Sequence, residues 1–312
     1  MSALPDTFMG YRRADGGAGT RNHLLVVPSV VCANTVAQRV ASLVPGAVAI
    51  PHPHGCAQVG DDVVLTEKVL AGAAANPNVG AALVIGLGCE TCQSGEVADL
   101  ARALAPGKLI ESFSIQDAGG SIKAISRGVE AGKELMARIA PQRRESIPIS
   151  ELLLARDRGH EDETTDRAAD PVADVVAQMM VAAGGSVVVP DFMAPLTDRV
   201  RALPFADRPI GKGRHVMQTP DVDAVSLSAM AAGGAQVCLF TTGTGSPLGN
   251  AVCPVIKVCA NPETNERMAD NIDFSSSDLL EGREGVEQMA QRLYRMTLEV
   301  ASGQLTSAEM IG

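Results

Sequence analysis

The chain has no tryptophan, two tyrosines and six phenylalanines, so aromatic residues make up only 3% of its 312 positions. A core without large rings must be built from Ala, Val, Leu, Ile and Met, and hydrophobic residues do reach 46%. Small side chains and 31 glycines suit helices packed closely on a parallel sheet. No apolar run approaches the ~18 residues of a membrane span, and the opening residues, MSALPDTFMGYRRADG, lack the apolar core of a secretion signal. Basic charge is also short. A net charge of −10 argues against nucleic acid and anionic membrane surfaces as partners. A disulfide framework is not expected, because the seven cysteines are odd in number and follow no secretion signal. They read as thiols kept reduced in the cytoplasm, available as metal ligands. Internal repeats and low-complexity tracts are absent as well.

What is present is an alternation of apolar runs and helical patterns over the first ~140 residues, as in βαβ units. Strands are predicted at Leu24–Pro28, Ala47–Pro51, Ala82–Ile85 and Leu109–Phe113. The intervening helices are predicted at Ala33–Leu43, Asp62–Ala75, Glu96–Leu104 and Gly120–Ala140. The charged segment RDRGHEDETTDRAAD then interrupts the pattern and reads as a solvated linker. Beyond it, helices are expected at Pro171–Ala183, Ser226–Ala232 and Gly285–Ser302, with strands at Ser186–Val189, Gln236–Thr241 and Val255–Val258. The fold class is α/β, with two domains that each carry a largely parallel sheet flanked by helices. Expected boundaries are 1–145 for the first domain, 146–170 for the linker and 171–312 for the second domain.

Three cysteines end apolar runs and open small-residue turns: LLVVPSVVC at Cys32, AVAIPHPHGC at Cys56 and AALVIGLGC at Cys89. A buried strand followed by a tight turn delivers its last side chains to the carboxyl edge of a sheet, where α/β proteins build their sites. Three thiols brought to that edge from three strands could hold one metal ion or iron–sulfur cluster. Cys92 forms a C-x-x-C pair with Cys89, but the second pair of a zinc ribbon is missing. Cys238 lies mid-strand and reads as a small core hydrophobe; Cys253 and Cys259 are undecided.

HPHGCAQ, His52–Gln58, is the densest constellation. Neutral imidazole can ligate a metal or act as a base near pH 7. His52 and His54 alternate, so an extended segment would point them to opposite faces. The loop Thr241, Thr242, Gly243, Thr244, Gly245, Ser246 follows a strand and offers hydroxyls and glycine-freed amides to an anion. A simple tight turn explains it equally well. Lys257 could complete an anion clamp, and Arg21 carries a planar fork for a carboxylate. Gln116 and Asp117 sit at a strand end before Gly119 and Gly120, an anion-binding geometry at a helix start, without the full G-x-G-x-x-G of a nucleotide site.

Taken in order, these motifs resemble the altronate/galactarate dehydratase family, to which the large subunit of sulfolactate sulfo-lyase is related. The matching segments are GYRRADGGAGTRN, VVCANTVA, HPHGCAQVGDD, NPNVGAALVIGLGCE and QDAGGS, then AAGGAQVCLFTTGTGSPLGNAVCPVIKV and ERMADNIDFSSS. The resemblance implies an iron-dependent lyase that removes water, or sulfite, from a hydroxy acid and leaves an enol that becomes a 2-keto acid. It places the family's cysteines on Cys32, Cys56 and Cys89 and favours iron, as a [4Fe–4S] cluster with an open position, over mononuclear Fe2+ or Zn2+. His52 or His54 would be the base. Arg21, Gln116, Asp117, the Thr241–Ser246 loop and Lys257 would face the small anionic substrate. A small partner subunit and a homo-oligomer belong to the same expectation. Two departures stand out: Ala155–Asp170 replaces a glycine- and serine-rich stretch, and the segment between Ala194 and Met217 is shortened. The second reading they favour is a catalytically divergent large subunit or small-acid binding module that needs a partner.

Overall fold

In the computed structural model, which describes residues 4–194 and 202–311, the chain divides into two compact units. One is Tyr11–Arg144; the other is Glu145–Gly312 joined by Met1–Gly10. Strand β1 (Thr7–Arg12) runs from one unit into the other, and its last residues, Tyr11 and Arg12, pair antiparallel with β2 (Ala18–Gly19).

The first unit then alternates strictly. Its elements are β3 (His23–Pro28), α1 (Asn34–Leu43), β4 (Ala47–Ala49), α2 (Asp61–Ala75), β5 (Val79–Gly86), α3 (Ser94–Leu104), β6 (Leu109–Ser114) and α4 (Ser121–Ile139). The four strands after β2 form a parallel sheet in the order β4-β3-β5-β6. β5, VGAALVIG, is buried throughout, because helices cover both faces of a parallel sheet and leave no polar side to alternate with. Helix α1 packs with α4, and α2 with α3. The first contact is close because α4 carries glycine where it crosses α1: a Cβ at Gly128 would stand 2.6 Å from Val40 Cγ2. Leu24, Val26, Leu83, Ile85, Val40, Leu135 and Ile139 meet in this core, each side chain contributing about 1.5–3 kcal/mol by its burial.

The second unit begins with β7 (Glu145–Pro148), paired antiparallel with Thr7–Gly10 of β1. It continues through β8 (Leu153–Arg158), a π-helical turn (Thr165–Ala169), α5 (Asp170–Ala182), β9 (Ser186–Pro190), β10 (Ala202–Leu203), β11 (Gly213–Met217), α6 (Asp223–Ala232) and β12 (Val237–Thr241). It ends with β13 (Val255–Cys259), α7 (Pro262–Arg267), β14 (Phe274–Ser275), α8 (Ser277–Leu280), α9 (Val286–Ala301) and α10 (Ser307–Ile311). Seven parallel strands lie in the order β10-β11-β9-β8-β12-β13-β14. Helix α7 starts where Asn261 accepts the amides of Glu263 and Thr264, with Pro262 at the first helical position.

Each unit is thus a parallel sheet with flanking helices, as the apolar alternation predicts. The boundaries differ. Residues 146–170 are not a solvated linker: β8 lies near the middle of the seven-stranded sheet, and Arg156 and Asp157 within it are buried. These charges can enter the core because Arg156 is paired with Asp170 and Asp174, and Asp157 is hydrogen-bonded. The N-terminal residues belong to the second unit through the β1–β7 pairing, a register that local pattern does not reveal.

In both sheets the chain starts near the middle, extends one way, then crosses back. The order reverses between β3 and β5 in the first sheet and between β8 and β12 in the second. Loops at the carboxyl ends of such strand pairs diverge and leave a crevice where ligands bind. No helix among the described residues is long and apolar enough to cross a membrane.

Candidate functional site

At the reversal point of the first sheet, β3 delivers the turn that carries Cys32 and β5 the turn that carries Cys89. The turn after β4, with His52, His54 and Cys56, is drawn onto both by backbone bonds. The Val31 amide donates to His54 O at 2.8 Å, and the Cys92 amide to Gly55 O at 3.2 Å. Thr91 Oγ1 donates to the same Gly55 carbonyl at 3.2 Å. Gly55 has φ +95°, and a Cβ there would stand 2.2 Å from Ser29 O, so only glycine lets the turn lie this close. Gln116, at the end of β6, joins the same edge: its amide donates to Leu87 O, and a Cβ on Gly88 would meet its Oε1 at 2.6 Å. Asp117 accepts from Ser114 Oγ at 2.7 Å and closes the turn before α4.

Cys32, Cys56 and Cys89 are exposed, whereas Cys92, Cys238, Cys253 and Cys259 are buried. Burial, helped by Glu67, Glu90 and Glu96, pushes the Cys92 thiol up to about 12. Burial, with Asp162 adding to it, takes Cys259 to about 11, and burial, with Cys253 and Asp157 adding, takes Cys238 well above the usual thiol range. The two thiols of the C-x-x-C spacing are thus not presented together: Cys89 is exposed, whereas Cys92 is part of the core. A direct consequence is that iodoacetamide at pH 8 should modify three thiols rapidly in the native chain and all seven after denaturation, with peptide mapping placing the fast sites at Cys32, Cys56 and Cys89. Rapid labelling of Cys92 would contradict this assignment.

The donor set at this edge matches a thiolate-held metal centre in kind and number: three soft ligands, accessible, on turns bonded to one another. It is not a closed cage for a single ion. Among the described residues, no three or more His, Cys, Asp or Glu groups stand together at metal-holding spacing.

The two histidines do not point to opposite faces as alternation predicts. Their rings stack, with centroids 6.1 Å apart and planes 19° from parallel, because the segment turns rather than extends. His52 is committed to holding that turn. Its Nδ1 accepts the His54 amide at 3.1 Å and its Nε2 donates to Pro28 O at 2.7 Å, so the neutral tautomer is fixed and both ring nitrogens are used. Burial lowers its pKa in spite of the Pro28 bond. His54 is exposed, and its ring makes no hydrogen bond among the described residues.

Arg21 precedes β3 and so lies at the amino edge, a strand length or roughly 20 Å from the thiols. It is buried, with Nη1 donating to Thr20 O at 2.8 Å. The anion loop in the second unit also differs from expectation. The Thr241 hydroxyl donates to Asp170 at 2.6 Å and accepts from Arg156 at 3.0 Å. Thr242 Oγ1 accepts the Gly245 amide at 3.1 Å, the Gly243 amide donates to His160 O, and Ser246 Oγ accepts the Leu248 amide. Asp162 presses on the loop, since a Cβ at Gly243 would meet its Cγ at 2.4 Å. Thr241–Ser246 is therefore a tightly bonded crossing beside a carboxylate, with exposed Thr244 the residue left facing outward. Lys257 is no clamp either. It is fully buried in β13, where Nζ makes one 3.4 Å hydrogen bond to Leu248 O and burial lowers its pKa.

Sequence reasoning missed Glu90. It is 4% exposed and accepts from Ser29 Oγ at 3.0 Å, from the Leu87 amide at 3.1 Å and from the Gly88 amide. The available signal was its place in GLGCE, directly after Cys89.

Comparison with known proteins assigns most of the chain to one family. Residues 10–140 match the family model described as the second domain of D-galactarate dehydratase/altronate hydrolase, and residues 196–312 match the C-terminal model of D-galactarate/altronate dehydratase. The (2R)-sulfolactate sulfo-lyase subunit beta of Chromohalobacter salexigens is 28% identical, covering 98% of this chain and 95% of that one. Altronate dehydratase of Bacillus subtilis is 29% identical over 97% of this chain and 75% of its own. Galactarate dehydratase (L-threo-forming) of Escherichia coli is 25% identical over 95% and 73%. Alignments of 375 to 387 positions exceed the 312 residues here, so these relatives hold internal segments that this chain lacks. With the thiol edge inside the first matched region and the Thr241–Ser246 crossing inside the second, the chain belongs to the D-galactarate/altronate dehydratase family.

Proposed function

We propose that the protein is a lyase that eliminates water, or another leaving group such as sulfite, from a small hydroxy acid, with iron held by Cys32, Cys56 and Cys89. The observation that carries this reading is the set of three exposed thiols on mutually bonded turns at the reversal point of the sheet. The family supports the reaction class, since the relatives are named dehydratases and a sulfo-lyase. A thiolate-held iron centre, as a [4Fe–4S] cluster or as Fe2+, supplies Lewis acidity toward the leaving oxygen when bound.

The chain's own groups have separate tasks. His54, with its ring nitrogens unengaged, takes the proton α to the carboxylate. His52 holds the backbone of His54 through Nδ1, so the base is oriented by its neighbour rather than rivalled by it. Gln116 lies over Gly88, where its amide can meet a polar group of the acid. The electron pair released from the α carbon expels the leaving group; hydroxide departs as water with one proton, and the enol left behind tautomerises to the 2-keto acid.

A partner subunit is part of this reading, because the relative covered over 95% of its length is named a beta subunit. The test is purification without air, with iron and sulfide analysis of the parent chain and of Cys56→Ser. A brown preparation containing iron is expected, with iron affinity reduced by more than about 10-fold in the variant. Unchanged iron in Cys56→Ser would remove Cys56 from the site. A colourless protein holding zinc would replace iron by a hydrolytic metal.

A further inference from the structure

Glu90 stands across the crevice between the turns of Cys32 and Cys89. Its Oε1 accepts from Ser29 Oγ, at the end of β3, and from the Leu87 amide; Oε2 accepts from the Gly88 amide, and Gln93 Nε2 donates to its backbone carbonyl. The socket is shaped for a carboxylate. A Cβ at Gly86 would meet Oε1 at 2.2 Å, and Gly88, at φ +123°, turns its amide inward. Leaving a carboxylate in such a place without donors would be costly, and it has three. Ser29 is itself fully buried, so the link is shielded from water.

We propose that Glu90 is a positioning residue that sets the separation of Cys32 from Cys89 by bracing their two turns across the sheet's reversal point. Neither turn is joined to the other by a strand ladder beyond Pro28 and Ile85, where the β3–β5 register ends. Past that point Ser29 donates its amide to Ile85 O, and the Ser29–Glu90 bond extends the connection to the residue beside Cys89. Without the brace, the Cys89 turn is held through Cys92 and Thr91 on Gly55 and through Leu87 on the Gln116 amide, bonds that reach the Cys56 turn and the end of β6 rather than Ser29 beside the Cys32 turn.

The inference deepens the three-thiol reading but can be tested without metal. In Cys56→Ser protein the exposed thiols among the described residues are Cys32 and Cys89. A short bifunctional thiol reagent, dibromobimane, should bridge them, with peptide mapping to confirm the pair. Adding Glu90→Ala should lower the bridging rate by about 10-fold while single-site alkylation of each thiol stays as fast. Glu90→Gln, which keeps one acceptor oxygen, should fall between, and the milder Ser29→Ala should reproduce part of the loss. In the otherwise unaltered chain, iron affinity should drop by roughly 10–100-fold on Glu90→Ala, as for groups that orient metal ligands. Unchanged bridging in both Glu90→Ala and Ser29→Ala overturns the proposal. A chain that takes up no iron, yet whose bridging depends on Glu90, keeps this role and loses the iron reading. If Glu90→Ala unfolds, the Ser29→Ala result decides.

Discussion

Gly55→Ala is expected to lower the stability of the Tyr11–Arg144 unit by about 3–4 kcal/mol and, with iron held as proposed, to abolish its uptake. Two causes add. At φ +95° an alanine is forced into left-handed backbone, which costs roughly 1–2 kcal/mol. Its Cβ would also stand 2.2 Å from Ser29 O and 2.7 Å from Val30 Cα, both backbone atoms that cannot rotate away. The turn must therefore lift from the end of β3. That breaks the Val31–His54 and Cys92–Gly55 bonds, each worth about 1 kcal/mol. The same lift moves Cys56 away from the two other exposed thiols, so stability and iron fall together. Urea unfolding of both chains, followed with iron analysis, checks this. Unaltered stability would show that the turn is not seated as described. Gly60→Ala is a useful control, since it shares a positive φ of +57° but would meet no atom within 4 Å; it should cost only the backbone strain.

The second large effect lies in the other unit and has the opposite sign. Asp157 is fully buried in β8, and burial raises its pKa from 3.8 to about 6, although Ser226 and the Arg158 amide donate to it and Arg156 is near. Because the folded pKa lies above the unfolded one, the folded chain holds more protons between pH 3.8 and about 6. Stability therefore falls as pH rises through that window, and the full penalty is present above it. Asp157→Asn removes the charge and keeps most of the bonding. Its Oδ1 can accept the Arg158 amide, while Ser226 can turn its proton to Asp223 O, 3.2 Å away. Arg156 keeps Asp170 and Asp174 as partners. The variant should be more stable by about 2–3 kcal/mol at pH 8, from about 1.4 kcal/mol per pKa unit, with the gain vanishing toward pH 4. Equilibrium unfolding of both chains at pH 4, 6 and 8 measures it. A destabilised variant at pH 8 would mean that the carboxylate's pairing outweighs its burial.

These two positions also show where sequence reading reaches its limit. Strands β3, β5, β6, β12 and β13 and helices α1 to α6 and α9 follow from apolar runs and periodicity, because their burial is written in their own side chains. β8 was hidden: RDR reads as solvated until Arg156 meets Asp170, a residue from the start of α5, and Thr241 from another strand. The same holds for β1 and β7, whose pairing joins residues far apart in the chain. At the site, the three strand-end thiols were legible, whereas the division of labour between His52 and His54 depended on a turn whose shape is set by Pro28 O. Arg21 and Lys257 looked like substrate clamps because charge suggests exposure; tertiary contacts bury both.

Composition and order of residues by themselves determined the class of the molecule: parallel sheets under helices, with three cysteines at strand ends and an acidic surface. That much is local, since burial of each segment follows from its own pattern. Tertiary structure decided which thiols face water, which histidine is spent on the backbone, and which carboxylate ties the cysteine turns together. Those outcomes arise from bonds between residues remote in sequence, whose strength depends on being brought together out of water.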